Sequence, residues 1–182
     1  MRVISGAARG RKLLSPDGLE TRPTADRFRE TLFDIIGPDI RGGAFLDLFS
    51  GSGAIGVEAI SRGAESAVFV DNSPAALKII EKNIGLVKFQ AQSLVLAMDC
   101  LEALRFLAEK GRMFDYIFMD PPYHRNLCPV CLEAIGKLGL LREGGIVIIE
   151  RASDEEVPTP VDFERYRVKE YRATAFDFMR KL

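Results

Sequence analysis

Four consecutive residues, Asp120-Pro121-Pro122-Tyr123, have groups that could act on the amino group of a nucleobase. They follow the apolar run Tyr116–Met119, which predicts a buried parallel strand that the two prolines end. A carboxylate and a backbone carbonyl can accept the two hydrogens of an exocyclic amino group, and a tyrosine ring can stack on the base. Open α/β sheets bind their ligands at the carboxyl ends of the strands. The motif therefore predicts a site that methylates the amino group of a nucleobase.

A glycine-rich loop earlier in the chain predicts a binding site for a nucleoside-containing cofactor. The segment Gly51–Gly56 fits the pattern G-x-G-x-x-G, in which glycines let a ligand approach the backbone at the start of a helix. About twenty residues later Asp71 ends the next predicted strand, where an acid can accept hydrogen bonds from ribose hydroxyls. Asp99 ends the third strand and could accept the amino group of adenine or cap the following helix. These features fit either NAD or S-adenosylmethionine.

Alternating strand and helix patterns predict the elements that must position these groups. Apolar runs predict five strands, at Ala44–Phe49, Ser66–Asp71, Ser93–Met98, Phe114–Asp120 and Gly145–Glu150. Helical patterns between them cover residues 54–62, 74–83, 101–110 and 128–138. Alternation over residues 166–171 and 173–179 predicts an antiparallel hairpin at the end of the chain.

The amino-terminal forty residues precede this alternating pattern. Residues 1–16 predict a short hairpin, and a helix that begins at Pro23 ends at Gly37-Pro38. The whole order predicts an α/β fold with a doubly wound, mostly parallel sheet of seven strands. An antiparallel edge hairpin would close the sheet, and a β-hairpin arm would precede it. We expect residues 1–40 to form an arm and helix, and residues 41–182 to form the catalytic domain.

The composition predicts one globular domain with a small appendage. The chain has 182 residues and a net charge of −1, and its isoelectric point is about 6. Such a balance excludes a strongly basic nucleic-acid coat and leaves room for a local basic patch. Candidates for contacts with phosphate groups are Arg9, Arg11, Lys12, Arg22 and Arg27. An ordinary solvated surface is the alternative interpretation of the same residues.

Cysteine usage and hydropathy predict a cytoplasmic protein that has no metal site and does not enter a membrane. The three cysteines are an odd number, which disfavours a secreted disulfide framework. Cys128 and Cys131 have C-x-x-C spacing, but the chain has no second pair, so we expect a structural role. No apolar run reaches membrane-spanning length, and Met1–Gly6 does not have the pattern of a signal peptide.

These motifs resemble those of the class I S-adenosylmethionine-dependent methyltransferases. Asp47-x-Phe49-x-Gly51-x-Gly53 is similar to their first motif, with Phe49 where many members have a glycine. The Asp120 motif is similar to the D/N-P-P-Y/F motif of the branch that methylates amino groups. A closer resemblance, over nearly the whole chain, is to the RsmD family of 16S ribosomal-RNA guanine-N2 methyltransferases. The segments that resemble this family are Met1–Gly6, Gly10–Leu13, Thr21–Phe33, Leu46–Ala54 and Glu58–Ala64.

The resemblance implies a set of roles for individual residues. It implies that Asp120, Pro121, Pro122 and Tyr123 are catalytic, with the guanine stacked on Tyr123. It implies S-adenosylmethionine as cofactor, with its ribose on Asp71, its adenine near Asp99 and its methionine end near Asp47 and the glycine loop. The other residues expected to bind the cofactor are Phe49, Gly51, Ser52, Gly53, Asn72 and Cys100. The basic residues of the amino-terminal arm would contact 16S ribosomal RNA in an assembled or assembling small subunit. We expect the enzyme to act as a monomer.

Other functions fit parts of the same pattern. The Asp120 motif also serves adenine N6, so a DNA adenine methyltransferase is an alternative, although the chain has little room for a DNA-recognition domain. An enzyme that methylates a protein side-chain amide would usually have asparagine in place of Asp120. An NAD-dependent oxidoreductase fits the glycine loop, leaves the Asp120 motif unexplained and offers only His124 for proton transfer. A non-catalytic RNA-binding module would not need the cofactor loop.

Overall fold

The seven predicted strands form a single mixed sheet in the order β3-β2-β1-β4-β5-β7-β6. The structure, a computed structural model, describes residues 1–16, 23–123 and 125–182. Its strands are β1 (Ala44–Asp47), β2 (Ser66–Asp71), β3 (Ser93–Ala97), β4 (Phe114–Met119), β5 (Leu141–Ala152), β6 (Phe163–Glu170) and β7 (Thr174–Lys181). Its α-helices are α1 (Pro23–Ile36), α2 (Ala54–Ser61), α3 (Pro74–Val87), α4 (Cys100–Glu109) and α5 (Leu127–Leu138).

The sheet reverses its direction of winding between β1 and β4. The first five strands are parallel, and β7 is antiparallel to both β5 and β6. All four residues of β1 are buried because helices cover both faces of the sheet. Phe45 packs into the cluster that contains α1 and α2, and its neighbour Leu46 packs into the cluster that contains α4 and α5. Ligands of such folds bind where the winding reverses, at the carboxyl ends of β1 and β4.

Two element boundaries differ by four residues from the sequence-based expectation. Helix α3 continues to Val87 and does not end at residue 83, because Ile84 and Val87 remain buried on its apolar face. It ends at Lys88, which has a positive φ of 63°. Strand β5 begins at Leu141, four residues before the expected start, and its register with β4 shifts there by a bulge.

The amino-terminal arm, residues 1–16, is an antiparallel loop with a single β-bridge between Arg2 and Lys12. The buried carboxylate of Glu58 in α2 accepts hydrogen bonds from the N–H groups of Ile4 and Ser5, at 2.8 and 2.9 Å. Gly6 lies so close to the end of α2 that a Cβ atom there would be 1.7 Å from the carbonyl oxygen of Ser61. Backbone hydrogen bonds and a close glycine contact therefore dock the arm on α2.

Asn83 of α3 joins the arm to the glycine loop. Its side-chain oxygen accepts from the N–H of Leu14 at 2.7 Å, and its amide nitrogen donates to the carbonyls of Leu14 and Ser52 at 3.0 and 2.9 Å. The side chain is fully buried, so all of these groups depend on each other for their hydrogen bonds. The position of the cofactor loop is thus coupled to the position of the arm.

The carboxyl-terminal hairpin of β6 and β7, here called the Tyr171 hairpin, packs against α1. A tight turn joins β6 to β7, with the N–H of Tyr171 donating to the carbonyl of Thr174 at 2.8 Å. The ring of Tyr171 packs on Phe28 of α1, with centroids 4.4 Å apart. Between the paired strands β7 and β5, the buried Asp177 accepts two hydrogen bonds from Arg151, at 2.8 and 3.1 Å. In the described ranges, no helix is both long and apolar enough to cross a membrane.

Candidate active site

Two cavities at the carboxyl ends of the parallel strands share Phe49, Gly51 and Asp120 in their walls. The larger cavity has a volume of about 650 Å³. The smaller has a volume of about 270 Å³ and extends towards α1 and β7. Most of the predicted cofactor residues line the larger cavity: Phe49, Gly51, Asp71, Asn72, Asp99 and Cys100, with Asp120 and Pro122 of the catalytic motif. Asp120 thus lies where the two cavities meet.

Asp71 holds the glycine loop against the start of α3. One carboxylate oxygen accepts from the N–H of Gly51 at 2.9 Å, and the other accepts from the N–H of Ser73 at 2.8 Å. Since each carboxylate oxygen can accept more than one hydrogen bond, both retain capacity for a ribose hydroxyl. Gly53 begins α2 with a φ of 75°, a conformation that favours glycine, and this lets the loop turn sharply into the helix.

Asp99 caps α4 and faces the larger cavity at the same time. Its carboxylate accepts from the N–H of Leu101 at 2.9 Å, so the capping alternative for this residue is correct. The other oxygen has room for a donor from a ligand. The next residue, Cys100, is buried, and its sulfur lies 3.8 Å from that of Cys131 in α5. The hydrogen bond with Cys131 lowers the pKa of the Cys100 thiol.

Asp47 lies in the wall of the smaller cavity with one oxygen unpaired. Its Oδ2 accepts from the N–H of Gly56 at 3.2 Å, whereas its Oδ1 has no hydrogen-bond partner among the described residues. Burial and, to a smaller extent, the charges of Asp120 and Asp71 raise the pKa of Asp47 to about 7. A buried carboxylate oxygen without a donor is costly, which suits a site that receives a cation. Ser52 lines the same cavity.

Arg29 is a site residue that the sequence analysis missed. It lies on the apolar face of α1 and is only 5% exposed. Its Nη2 donates to the carbonyl of Arg2 at 2.9 Å and to Asp26 at 2.6 Å, while Nε and Nη1 have no partner in the described part of the chain. Arg29 and Asp47 both line the smaller cavity, so its walls offer a buried cation and a buried anion. That pair is complementary to the carboxylate and ammonium groups of an amino acid.

Glu150 is a second missed residue. It follows Ile149, which pairs with Met119 of β4, so Glu150 of β5 and Asp120, which comes directly after β4, are neighbours at the carboxyl ends of these two strands. Both line the smaller cavity. The walls withdraw Asp120 from bulk water and raise its pKa to about 6, although the side chain is accessible from the cavities. Burial and the charge of Asp120 raise the pKa of Glu150 to about 8.

The sequence contains patterns that could have indicated Arg29 and Glu150 as residues of the site. Arg29 is a charged residue at a helical position otherwise occupied by apolar side chains, since Leu32, Phe33 and Ile36 follow it on the same face. Glu150 ends an apolar run, as Asp71 and Asp120 do.

The remaining residues of the catalytic motif have different environments. Pro121 is buried, and Pro122 is exposed in the wall of the larger cavity. Tyr123 is 39% exposed, and burial of the rest of its ring raises the pKa of its hydroxyl, as do the charges of Glu150 and Asp120. An exposed aromatic face beside a carboxylate is available for stacking. His124 lies outside the described residues.

The basic candidates that the structure describes, Arg9, Arg11, Lys12 and Arg27, do not line the two cavities of the strand ends. Arg9 and Arg27 line a separate cavity of about 430 Å³, together with Arg2, Asp26 and Glu30. Arg11 and Lys12 are exposed on the arm, and Arg22 lies outside the described residues. Over the described ranges, no three His, Cys, Asp or Glu side chains form a group that could hold a metal ion.

The buried Asp47 should make the stability of the free protein depend on pH. Its pKa is about 3.9 in an unfolded chain and about 7 in the folded one, so its protonation stabilises the folded state below this range and is lost as pH rises through 7. Relative to Asp47→Asn, the wild type should lose up to ~1.4 kcal/mol of unfolding free energy per pH unit between about pH 4 and pH 7. Urea denaturation at several pH values measures this difference. Parallel pH curves for the two proteins would contradict it, and the exposed Asp39→Asn provides the control.

Comparisons with known proteins identify the relatives of this chain. The family model described as "Conserved hypothetical protein 95" matches residues 1–180. The Escherichia coli (strain K12) ribosomal RNA small subunit methyltransferase D is 36% identical over 170 residues, which is 93% of this chain and 84% of that protein.

Two solved structures have the same fold. The Escherichia coli protein yhhF superposes with a TM-score of 0.87 and 35% identity, covering 100% of this chain and 97% of that chain. The structure of SMU.776, complexed with SAH, has a TM-score of 0.68 and 17% identity, covering 90% of this chain and 51% of that one. Because the relatives at 35–36% identity are methyltransferases, the cofactor is S-adenosylmethionine and not NAD.

Proposed function

The chain belongs to the RsmD family of S-adenosylmethionine-dependent methyltransferases, and from this membership we infer that it methylates the N2 amino group of a guanine in 16S ribosomal RNA of the small subunit. The observation that supports the proposal best is the position of Asp120 at the junction of the two cavities. One cavity has the acids and the glycine loop suited to a nucleoside. The other leaves space in front of the Asp120 carboxylate, and the ring of Tyr123, three residues further along the chain, is partly exposed.

The cofactor fits the polar groups of these walls. Asp71 and Asn72 would hold the ribose, and Asp99 and Cys100 would border the adenine. Asp47 would accept the ammonium group with its unpaired oxygen, and Arg29 would donate to the carboxylate with its two unpaired nitrogens. Backbone close to the methionine end would come from Phe49, Gly51, Ser52 and Gly53. When bound, S-adenosylmethionine supplies an electrophilic methyl group on a sulfonium centre.

The catalytic motif would prepare the amino group for the transfer. A guanine amine is a poor nucleophile because its lone pair is delocalised into the ring. The Asp120 carboxylate and the Pro121 carbonyl would each accept one N2 hydrogen, which directs the lone pair out of the base plane and stabilises developing positive charge. Tyr123 would stack on the base, and Pro122 would keep the backbone rigid. With a pKa of about 6, Asp120 could then accept the released proton.

The amino-terminal forty residues would dock the RNA and cover the cofactor, while residues 41–182 form the methyltransferase domain. This division is supported by Met1 and Arg29, which line the smaller cavity, and by the exposed cations Arg9, Arg11 and Lys12 of the arm. We expect a monomer that acts in the cytoplasm on an assembled or assembling small subunit, since that is where ribosomal RNA presents structured targets.

Methyl transfer from radiolabelled S-adenosylmethionine to small-subunit particles without endogenous modification tests the proposed function. The digested RNA is analysed for modified nucleosides, and the labelled position is mapped. We expect N2-methylguanosine in 16S RNA. Labelled N6-methyladenosine, or no labelled RNA from a protein that binds SAH, would refute the proposal and direct the search to DNA or protein substrates.

Charge reversal on the arm should weaken binding of the RNA substrate. Arg9→Glu, Arg11→Glu and Lys12→Glu together should lower affinity for the particle and reduce the slope of log affinity against log salt by about three, one unit per lost phosphate contact. Filter binding at several salt concentrations measures both. Reversal of the exposed Lys78, Lys82 and Lys110 changes the net charge equally and should leave the slope unchanged. Equal effects of the two triple variants would show that only net charge matters.

A further inference from the structure

Glu150 is a carboxylate in the wall of the smaller cavity that plays no part in holding the amino group. It lies near the carboxyl end of β5, one residue after Ile149, and Ile149 pairs with Met119, the residue before Asp120. Among the described residues, no side chain or backbone group makes a hydrogen bond or an ion pair within 4.0 Å to Glu150. The residue opposite it on β7 is the apolar Phe176. Glu150 is half-buried and its carboxylate has no hydrogen-bond partner in the described part of the chain, so it can accept a hydrogen bond from a ligand.

The surroundings of Glu150 coincide with the expected position of the target base. Asp120 and Glu150 line the same small cavity, and Tyr123, three residues after Asp120, has a partly exposed ring. Phe118 and Phe176 line the same cavity and provide an apolar border. A planar base stacked on Tyr123 with its amino group at Asp120 would therefore present the adjacent ring atom to Glu150.

We propose that Glu150 selects guanine by accepting the N1–H of the base whose N2 amino group Asp120 holds. This rests on the proposed function. In guanine, N1–H and the N2 amino group are neighbouring donors, so two carboxylates on neighbouring strands match them. In adenine, the atom next to the amino group is an unprotonated acceptor, which would face the Glu150 carboxylate and leave it unpaired. Asp120 alone accepts either amino group, so Glu150 supplies the discrimination.

The test uses 2-aminopurine, which keeps the 2-amino group of guanine but has an unprotonated N1. Small subunits are reconstituted with 16S RNA that carries guanine or 2-aminopurine at the mapped position. Methyl transfer by the wild type, Glu150→Gln and Glu143→Gln is measured on both. Glu143 lies exposed on the same strand at the opposite end of the sheet and provides the control.

We expect Glu150→Gln to lower kcat/KM for guanine by roughly five- to 150-fold, since one good base contact is worth about 1–3 kcal/mol. The value for 2-aminopurine should stay unchanged or rise, because the glutamine amide can donate to its N1. SAH affinity, measured by calorimetry, should not change in either variant. In the wild type, the preference for guanine should also increase as pH rises through the range in which Glu150 ionises.

Different failures have different meanings. If Glu150→Gln lowers kcat/KM equally for both bases, or changes neither, the role of Glu150 as a selector is wrong while the proposed function stands. If the wild type does not methylate the guanine particle, the proposed function fails and the selection with it. The ratio of the two substrates also cancels any uniform effect of the substitution on folding, because both rates come from the same protein sample.

Discussion

Asp120→Ala is expected to lower kcat for RNA methylation by roughly a hundred- to a thousandfold, the usual cost of losing one group that stabilises transition-state charge. The alanine variant cannot accept an N2 hydrogen, so the amino group loses both its orientation and its acceptor for the proton. SAH affinity should remain close to that of the wild type, because the contacts proposed for the cofactor come from other residues. Single-turnover methylation measures the first quantity and calorimetry with SAH the second.

SAH is the appropriate ligand for this comparison because it lacks the positive charge of the sulfonium. Loss of the negative Asp120 carboxylate would lower the affinity for a positively charged ligand for electrostatic reasons alone. The exposed Asp39→Ala provides a control that removes the same charge far from the cavities. A variant at Asp120 that methylates normally, or one that no longer binds SAH, would be incompatible with the assigned role.

Gly6→Ala is expected to displace the amino-terminal arm. The new Cβ would lie 1.7 Å from the carbonyl oxygen of Ser61 and 2.2 Å from its carbon, a distance that only movement of the backbone can relieve. The arm would lose its hydrogen bonds to Glu58 and Ser61, and the coupling of Leu14 and Asn83 to the cofactor loop would weaken. RNA methylation should fall sharply, and the backbone N–H groups of the arm should exchange faster with deuterium.

Gly10→Ala is the matched control for this substitution. Gly10 has a φ of 82°, close to the 81° of Gly6, but a Cβ atom there meets nothing within 4 Å. Both variants therefore carry the same backbone strain, and only Gly6→Ala has the collision. The unfolding free energy of Gly6→Ala should be lower than that of Gly10→Ala by about 1–3 kcal/mol, the range for overpacked sites. Indistinguishable stability and exchange in the two variants would show that the arm is not docked through Gly6.

The order of elements and the ends of the parallel strands could be predicted from the sequence. Each buried strand is a short apolar run, and the residue that ends the run lies at the carboxyl end of the strand, where ligands of such sheets bind. This local rule correctly predicted that Asp71, Asp99 and Asp120 would lie around one cavity. The same rule applied to the fifth predicted strand, Gly145–Glu150, also puts Glu150 at the carboxyl ends of the strands. The sequence analysis predicts this strand but gives Glu150 no role in the site.

Boundaries that depend on packing were predicted less well. Gly85 lies within the last turn of α3, and a glycine at such a position favours the end of a helix. The helix nevertheless extends to Val87, because Ile84 and Val87 are buried against the core. The early start of β5 depends on a bulge opposite β4, which no local pattern contains. Tertiary contacts outweigh local propensity at both places.

By itself, the sequence determined the alternating α/β order, the cofactor loop and the amino-group motif, because these depend on neighbours along the chain. Only the tertiary structure decided which residues complete the site. Arg29 reaches the smaller cavity because the arm and the Tyr171 hairpin hold α1 across the strand ends, and Glu150 lies beside Asp120 because β5 pairs with β4. The unpaired atoms of Asp47 and Arg29 are likewise visible only in three dimensions, since a missing partner is a property of space and not of sequence.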